Sequence, residues 1–193
     1  MVNGKLRLLS ETDAAEILEI YRPYVEKTTI SFEYDVPSLK EFEQRIKDII
    51  SFYPYLVYII NDKIVGYAYA HRYQARAAYQ WNAEMSIYLL EGYKGKSIGC
   101  KLYGATIEIL KLQNVKNLYG IVTVPNPPSQ KFHEQFGFKE MGIYQNTGFK
   151  CEQWHNVILF EKSIGEYDKS PKQVISIKSI EKDTIDEILS KYS

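Results

Sequence analysis

The chain has 193 residues, with 24 Lys and Arg against 24 Asp and Glu, and 45% of it is hydrophobic. That length suits one domain with a sizeable core, and the zero net charge argues against nucleic acid as the main partner. Two cysteines, Cys100 and Cys151, make neither a disulfide framework nor a metal-ligand spacing, and no apolar run reaches signal-peptide or membrane-spanning length. The expectation is a cytoplasmic protein with no metal and no membrane partner.

Taken in chain order, Lys5–Leu9 reads as a short strand. Ser10 or Thr12 is placed to cap a helix over Asp13–Tyr21, where Ala14, Ile17, Leu18 and Tyr21 share one face. Thr28–Tyr34 reads as a loop. Ser38 with Glu41 three residues on is a capping box that opens a helix over Leu39–Ser51. Tyr55–Ile60 and Ile64–Arg72 flank Asn61-Asp62-Lys63 as a hairpin. A loop over Tyr73–Ala78 leads to a strand over Tyr79–Leu90, then a basic Gly-rich turn and a helix over Ile98–Gln113. Asn117–Val124 is a buried-strand run, ended by Pro125-Asn126-Pro127-Pro128. A short helix, Ser129–Phe136, stops at Gly137, and strands follow at Phe138–Tyr144 and Trp154–Glu161. The tail from Ser163 is more polar and offers one helix, Asp183–Lys191. Strands interleaved with helices indicate a mixed α/β domain. The 17 tyrosines fall largely in apolar runs, as core residues that keep a hydroxyl near water.

The turn Tyr93-Lys94-Gly95-Lys96-Ser97-Ile98-Gly99 is the most informative segment. Strand, Gly-rich basic turn and helix start together create a nest of free backbone N–H groups with a helix dipole behind it, which is a site for phosphate. The Walker and dinucleotide-binding glycine spacings are both absent. Four side chains nearby offer chemistry. Glu84 is a strand carboxylate a few residues before the turn, suited to general-base work. His133 on the short helix titrates near neutrality, Asn126 between prolines can hydrogen-bond a ligand, and Arg76 in a loop can pair with a carboxylate. By position alone the commoner reading of each is a surface, capping or turn residue with no role in chemistry. His155 in an apolar run reads as structural. No Ser-His-Asp order, C-x-x-C or HExxH supports a hydrolase or a metalloenzyme.

The set as a whole resembles the GNAT superfamily of N-acetyltransferases. Lys94-Gly95-Lys96-Ser97-Ile98-Gly99 fills the frame of its pyrophosphate loop, with Lys94 where Gln or Arg is usual and Ser97 where Gly is usual. Ser97 fits there if its φ is negative, as at a helix start. Over about Lys5–Lys162 the chain resembles the phosphinothricin and methionine sulfoximine acetyltransferase branch. The segments that carry this are Ile20–Val25, Thr28–Phe32, Tyr53–Val57, Ala75–Trp81, Pro125–Pro127, His133–Phe138 and Gly148–Lys150. Trp154-His155-Asn156 departs from the branch's Trp-x-Asp.

The resemblance implies a GNAT fold over residues 1–163, with 164–193 as an extension. It implies acetyl-CoA as co-substrate, a small amine as acceptor and a homodimer. It also implies roles. Glu84 would be the base and His133 the proton donor to the leaving thiolate. Ile87, Tyr88 and Leu89 would offer strand backbone to the pantetheine arm. Lys94, Gly95, Lys96, Ser97, Ile98 and Gly99 would hold the pyrophosphate, and Asn126 the pantetheine or acetyl end. Phe32, Arg76, Tyr79 and Glu84 would face the acceptor. A polyamine or a protein N-terminus is the rival acceptor. A non-catalytic acyl-CoA-binding module is the rival of a different class.

Overall fold

The computed structural model describes residues 4–193. The strands are β1 (Lys5–Leu8), β2 (Tyr55–Ile60), β3 (Lys63–Arg72), β4 (Asn82–Leu89), β5 (Asn117–Val124), β6 (Lys139–Lys150) and β7 (Gln153–Ser163). The helices are α1 (Ala14–Glu26), α2 (Leu39–Ile50), α3 (Ile98–Leu112), α4 (Pro127–Gln135) and α5 (Lys182–Lys191). Among the described residues no helix is long and apolar enough to cross a membrane.

All the strands join one seven-stranded sheet in the order β1-β2-β3-β4-β5-β7-β6. Neighbours run antiparallel except β4 and β5, which are parallel and pair only at Asn82↔Asn117, Ala83↔Leu118 and Glu84↔Tyr119. Beyond Glu84 the two strands part.

Two apolar layers sandwich the sheet. On one face α3 and α5 bury Leu102, Leu110, Ile185 and Leu189 against Leu56, Ala68, Met85, Leu118 and Phe160. On the other, α1 and α2 bury Ile17, Leu18, Phe42 and Ile46 against Val57, Tyr67, Tyr69 and Tyr88. Among the described residues this second layer covers β2, β3 and β4, and β5, β7 and β6 carry no helix on that face.

Several boundaries differ from the sequence reading, each for a physical reason. Helix α1 runs through Pro23 to Glu26, because Tyr24 and Val25 extend its buried stripe and that burial outweighs the one hydrogen bond lost at proline. β4 begins at Asn82, since Ala77–Tyr79 forms a short 3₁₀ turn instead of strand. β6 extends to Lys150; its side chains are nearly all exposed, so no alternation marked it, and two register irregularities interrupt its pairing with β7. The Ser38–Glu41 capping box forms as read, with the Ser38 N–H donating to Glu41 Oε2 at 2.9 Å.

The tail is strapped to the domain. Gln113 Nε2 donates to Phe52 O and Ile175 O, both at 2.8 Å, and Trp81 Nε1 donates to Lys172 O at 2.9 Å. Ile177, Ile185 and Leu189 are buried, and the Tyr192 hydroxyl donates to Glu108.

Candidate active site

The parting of β4 and β5 opens a cleft of about 290 Å³, lined by Tyr24, Ile30, Ile87, Leu89, Lys94, Gly95, Gly99, Asn126, Pro128, Ser129 and Phe132. Hydrogen-bond parity dictates what β4 offers to it. Tyr73 N donates to Asn82 O and Leu90 N to Val65 O, so the even-numbered residues of β4 spend their peptide groups on β3. The odd-numbered residues point the other way. Past the last ladder pair, the Ile87 peptide faces the cleft without a strand partner. Leu89 does not: its carbonyl accepts from the Tyr24 hydroxyl at 2.6 Å, and its N–H donates back to the same oxygen at 3.2 Å.

The basic turn closes one end of the cleft. Ser97 is the N-cap of α3, but its side chain makes no capping bond, so the N–H groups of Ile98, Gly99 and Cys100 have no intrahelical partner. Ser97 adopts φ 63°, ψ 2°, and Gly95 has φ 76°. The expectation of a negative φ at Ser97 is corrected: consecutive N–H groups converge on one point only if the chain enters the left-handed region here. Lys94 Nζ lies 5.2 Å from the Tyr24 ring centroid and Lys96 Nζ 4.8 Å from that of Tyr93. Ile98 is fully buried, so only its backbone is on offer. Gly99 sits against Phe132 and Ile87, where a Cβ would lie 3.3 Å from Phe132. Asn126 caps α4, its Oδ1 accepting from Ser129 N at 3.3 Å, which leaves the Nδ2 amide as the donor it has for a ligand.

Glu84 is the last β4 residue paired with β5, so it stands at the apex where the strands part, though its side chain is not part of the cleft lining. It alternates with Ser86 and Tyr88 on the face of α1 and α2, and is 20% exposed. His71 lies opposite it on β3, with Nε2 at 3.7 Å from Oε1.

His133 is not in the cleft. It is 4% exposed. Nδ1 is 2.9 Å from Ser129 O, Nε2 is 3.1 Å from the Tyr103 hydroxyl, and the ring stacks on Phe160 at 5.2 Å. A carbonyl only accepts, so Nδ1 carries the hydrogen and Nε2 accepts from Tyr103. Burial holds its pKa below the ordinary imidazole value. The expected proton donor is therefore a sealed core residue, seated where Gly120 leaves room.

Among the other sequence candidates, the Tyr88 side chain points away from the cleft and packs at 5.0 Å on Tyr21 and on Tyr24. Lys96 and Ser97 are exposed on the turn. Phe32 is half-buried over Gly148 and 6.2 Å from His155, on the β6–β7 side. Arg76 is exposed at the N-cap of the 3₁₀ turn, and Tyr79 is 43% exposed. Phe32, Arg76 and Tyr79 do not line the cleft. Asn156, where the related branch has Asp, accepts from Asn146 N at 2.8 Å, a bond that a carboxamide makes as well as a carboxylate.

Sequence reasoning missed Tyr24, Phe132 and Lys150. Lys150 is buried, and its ammonium donates to Val25 O at 2.6 Å and Ser31 O at 2.8 Å. It joins the C-terminal end of α1 and the loop after it to the β6–β7 hairpin. Its burial lowers its pKa.

The structure thus brings together a parted parallel strand pair, a helix start with unpartnered N–H groups and a carboxylate where the strands part. A family profile described as "Acetyltransferase (GNAT) domain" matches residues 6–174, and the chain belongs to this family of acetyl-CoA-dependent N-acetyltransferases. It is 26% identical over 176 residues to a phosphinothricin N-acetyltransferase of Streptomyces viridochromogenes, covering 91% of this chain and 96% of that one. It is 22% identical to an L-methionine sulfoximine/L-methionine sulfone acetyltransferase of Pseudomonas aeruginosa, covering 88% and 100%. A crystal structure of a phosphinothricin acetyltransferase from Sinorhizobium meliloti in complex with acetyl-CoA superposes with a TM-score of 0.85 at 29% identity, covering 91% and 96%.

Proposed function

We propose that this acetyltransferase moves acetyl from acetyl-CoA to the amine of a small amino-acid-like substrate, of phosphinothricin or methionine sulfoximine type, by direct attack in a ternary complex. One observation carries the reading: the cleft between β4 and β5 has the unpaired N–H groups of α3 at its mouth and Glu84 at its apex. The pyrophosphate of the co-substrate sits on the N–H groups of Gly95–Gly99, with Lys94 and Lys96 adding charge. The pantetheine arm pairs with the free Ile87 peptide and takes a hydrogen bond from Asn126 Nδ2. Leu89 can join that pairing only if Tyr24 lets go.

An α-amine is protonated at neutral pH and is no nucleophile. Glu84 takes its proton, directly or through one water; the freed nitrogen attacks the thioester carbon, and a β4 N–H near Ile87 stabilises the developing oxyanion. With His133 sealed, the departing thiolate is protonated by solvent. Holding both substrates in one cleft supplies much of the rate.

The relatives' printed names, phosphinothricin and methionine sulfoximine, support an acidic amino-acid-like acceptor. The Arg76 side chain, exposed and outside the cleft lining but without a hydrogen bond or ion pair among the described residues, is the group assigned to grip the acidic end. A second copy of the chain fits the bare half-sheet, where Ile121 is 47% and Tyr144 50% exposed; light scattering on the purified protein should then give twice the chain mass.

The functional test is free-thiol release with acetyl-CoA and a panel of amines. Turnover should be fastest with phosphinothricin or methionine sulfoximine, and Arg76→Ala should raise KM for them by roughly 10- to 100-fold without moving KM for acetyl-CoA. Equal turnover of spermidine or of a peptide N-terminus would overturn the acceptor class. No thiol release with any amine would overturn the enzyme reading.

A further inference from the structure

We propose that His71 is the positioning and proton-relay partner of Glu84: it receives at Nε2 the proton that Glu84 has taken from the substrate ammonium, and passes it to solvent. This rests on Glu84 as the base, and on four features of the pair.

Placement comes first. His71 and Glu84 are directly opposite in the β3–β4 ladder and project on the same face, with Nε2 at 3.7 Å from Oε1. A small side-chain rotation or one water closes that distance. The tautomer comes second. His71 Nδ1 is 3.0 Å from Arg72 O, and because a carbonyl only accepts, Nδ1 carries the hydrogen. The neutral ring therefore turns a bare Nε2 lone pair toward Glu84. Third is the gradient of exposure. The Glu84 side chain is 20% exposed and that of His71 35%, so the pair steps outward from the apex of the cleft to water.

Fourth, the surroundings leave no competing group. Along β3, Tyr69 lies 6.0 Å from the His71 ring on the inner side; Tyr73, stacked at 4.0 Å on Tyr119 of β5, follows on the outer side. All three phenols are held above their ordinary pKa, chiefly by burial, and stay protonated at neutral pH. Glu33 and Arg45, from the α1–α2 side, act on Tyr69, so among the described residues Glu84 is the one charged group set against His71. Burial pulls the imidazole down, but the hydrogen bond and charge of Glu84, with the Arg72 carbonyl, together outweigh it, and the His71 pKa lies above the ordinary imidazole value. An imidazole with a carboxylate beside it can take up a proton and release it to water, as a relay requires.

The step balances. The ammonium loses a proton to the Glu84 carboxylate, the Glu84 carboxylic acid passes it to His71 Nε2, and the imidazolium releases it to bulk water. Glu84 returns to carboxylate for the next turnover. The active resting form has Glu84 ionised and His71 neutral, so kcat/KM should rise with pH through the His71 titration.

Two measurements on the full chain test this. Imidazole NMR titration should give a His71 pKa above the ordinary value in the wild type, falling toward it in Glu84→Gln. Steady-state pH profiles should show a rising limb at that pKa. In His71→Asn the limb should vanish and kcat on the plateau should fall roughly three- to tenfold, a fraction of the effect of a direct base, with KM for acetyl-CoA within about twofold. Added to Glu84→Gln, His71→Asn should cost nothing more. An unchanged His71 titration in Glu84→Gln, or a His71→Asn enzyme with wild-type kcat and the limb still present, overturns the relay alone if Glu84→Gln is itself impaired. A Glu84→Gln enzyme with wild-type kcat overturns the base assignment beneath it, and the relay with it.

Discussion

His133 is held at both ring nitrogens in the core, so it can act on stability but not on the reacting atoms. Its folded pKa is depressed by burial, whereas the unfolded chain binds a proton near the free value of about 6.5. Below that pH the unfolded state carries the extra proton. The stability His133 contributes is therefore complete above about pH 6.5 and drains away as pH falls toward its folded pKa. His71 has the opposite sign: its raised pKa contributes stability at low pH that fades as pH rises. The difference between two proteins isolates the term. Wild type should lose thermal stability between pH 7 and 5 more steeply than His133→Gln, and kcat of the variant at 25 °C should stay within about threefold of wild type. A large kcat loss in a folded His133→Gln would return the ring to the chemistry. Glu84 was legible in the sequence because a strand, its turn and the following helix fix which end of the strand faces the ligand. His133 was not, because nine residues of helix carry too little periodicity to say which side is buried. Lys150 was hidden for another reason, since its partners are the carbonyls of Val25 and Ser31, and carbonyls have no sequence code.

At the scale of the element, the turn before α3 uses a non-glycine residue in the left-handed region. Ser97 has φ 63°, which costs an L-residue roughly 1–2 kcal/mol. Glycine would remove most of that cost while adding about 0.4–1 kcal/mol of unfolded-chain entropy. Ser97→Gly should then raise the melting temperature by a few degrees and leave CoA affinity within about twofold, because the N–H donors are unchanged. Calorimetry and a thermal melt check both; a destabilised variant would mean that the Ser97 side chain holds the turn. The position of this turn was plain from its glycines and lysines. Its dihedral angle was not, because serine suits an N-cap with negative φ equally well. Tyr24 was missed likewise. Its bond to Leu89 spans α1 and β4, and nothing local announces it.

Over the whole molecule, the tail behaves as part of the core. Ile177, Ile185 and Leu189 are buried against the α3 layer, and Gln113 is bound at both Phe52 and Ile175. At about 1.5–3 kcal/mol for each buried aliphatic side chain, cutting the chain after Ser163 should cost on the order of 5 kcal/mol. Chemical denaturation of the shortened chain should show that loss; a midpoint equal to the full chain's would make the tail an ornament. Strand and helix types were readable throughout from periodicity. The extent of β6 beyond Tyr144 was the exception, because an edge strand exposed on both sides carries no alternation to read.

The parity of β4 has a consequence for the rhythm at which the sheet meets deuterium. Amides in the middle of a sheet are ordinarily the last to exchange, since only global unfolding frees them. Here the middle of the sheet is a seam: three ladder pairs hold β4 to β5, and the Ile87 amide faces the cleft without a strand partner although its neighbours Tyr88 and Ser86 are locked to β3. In D₂O, Ile87 should lose its proton among the earliest of the strand residues and its even-numbered neighbours among the slowest. Saturating CoA should close that fast window selectively, making one amide in the centre of the fold a direct gauge of occupancy.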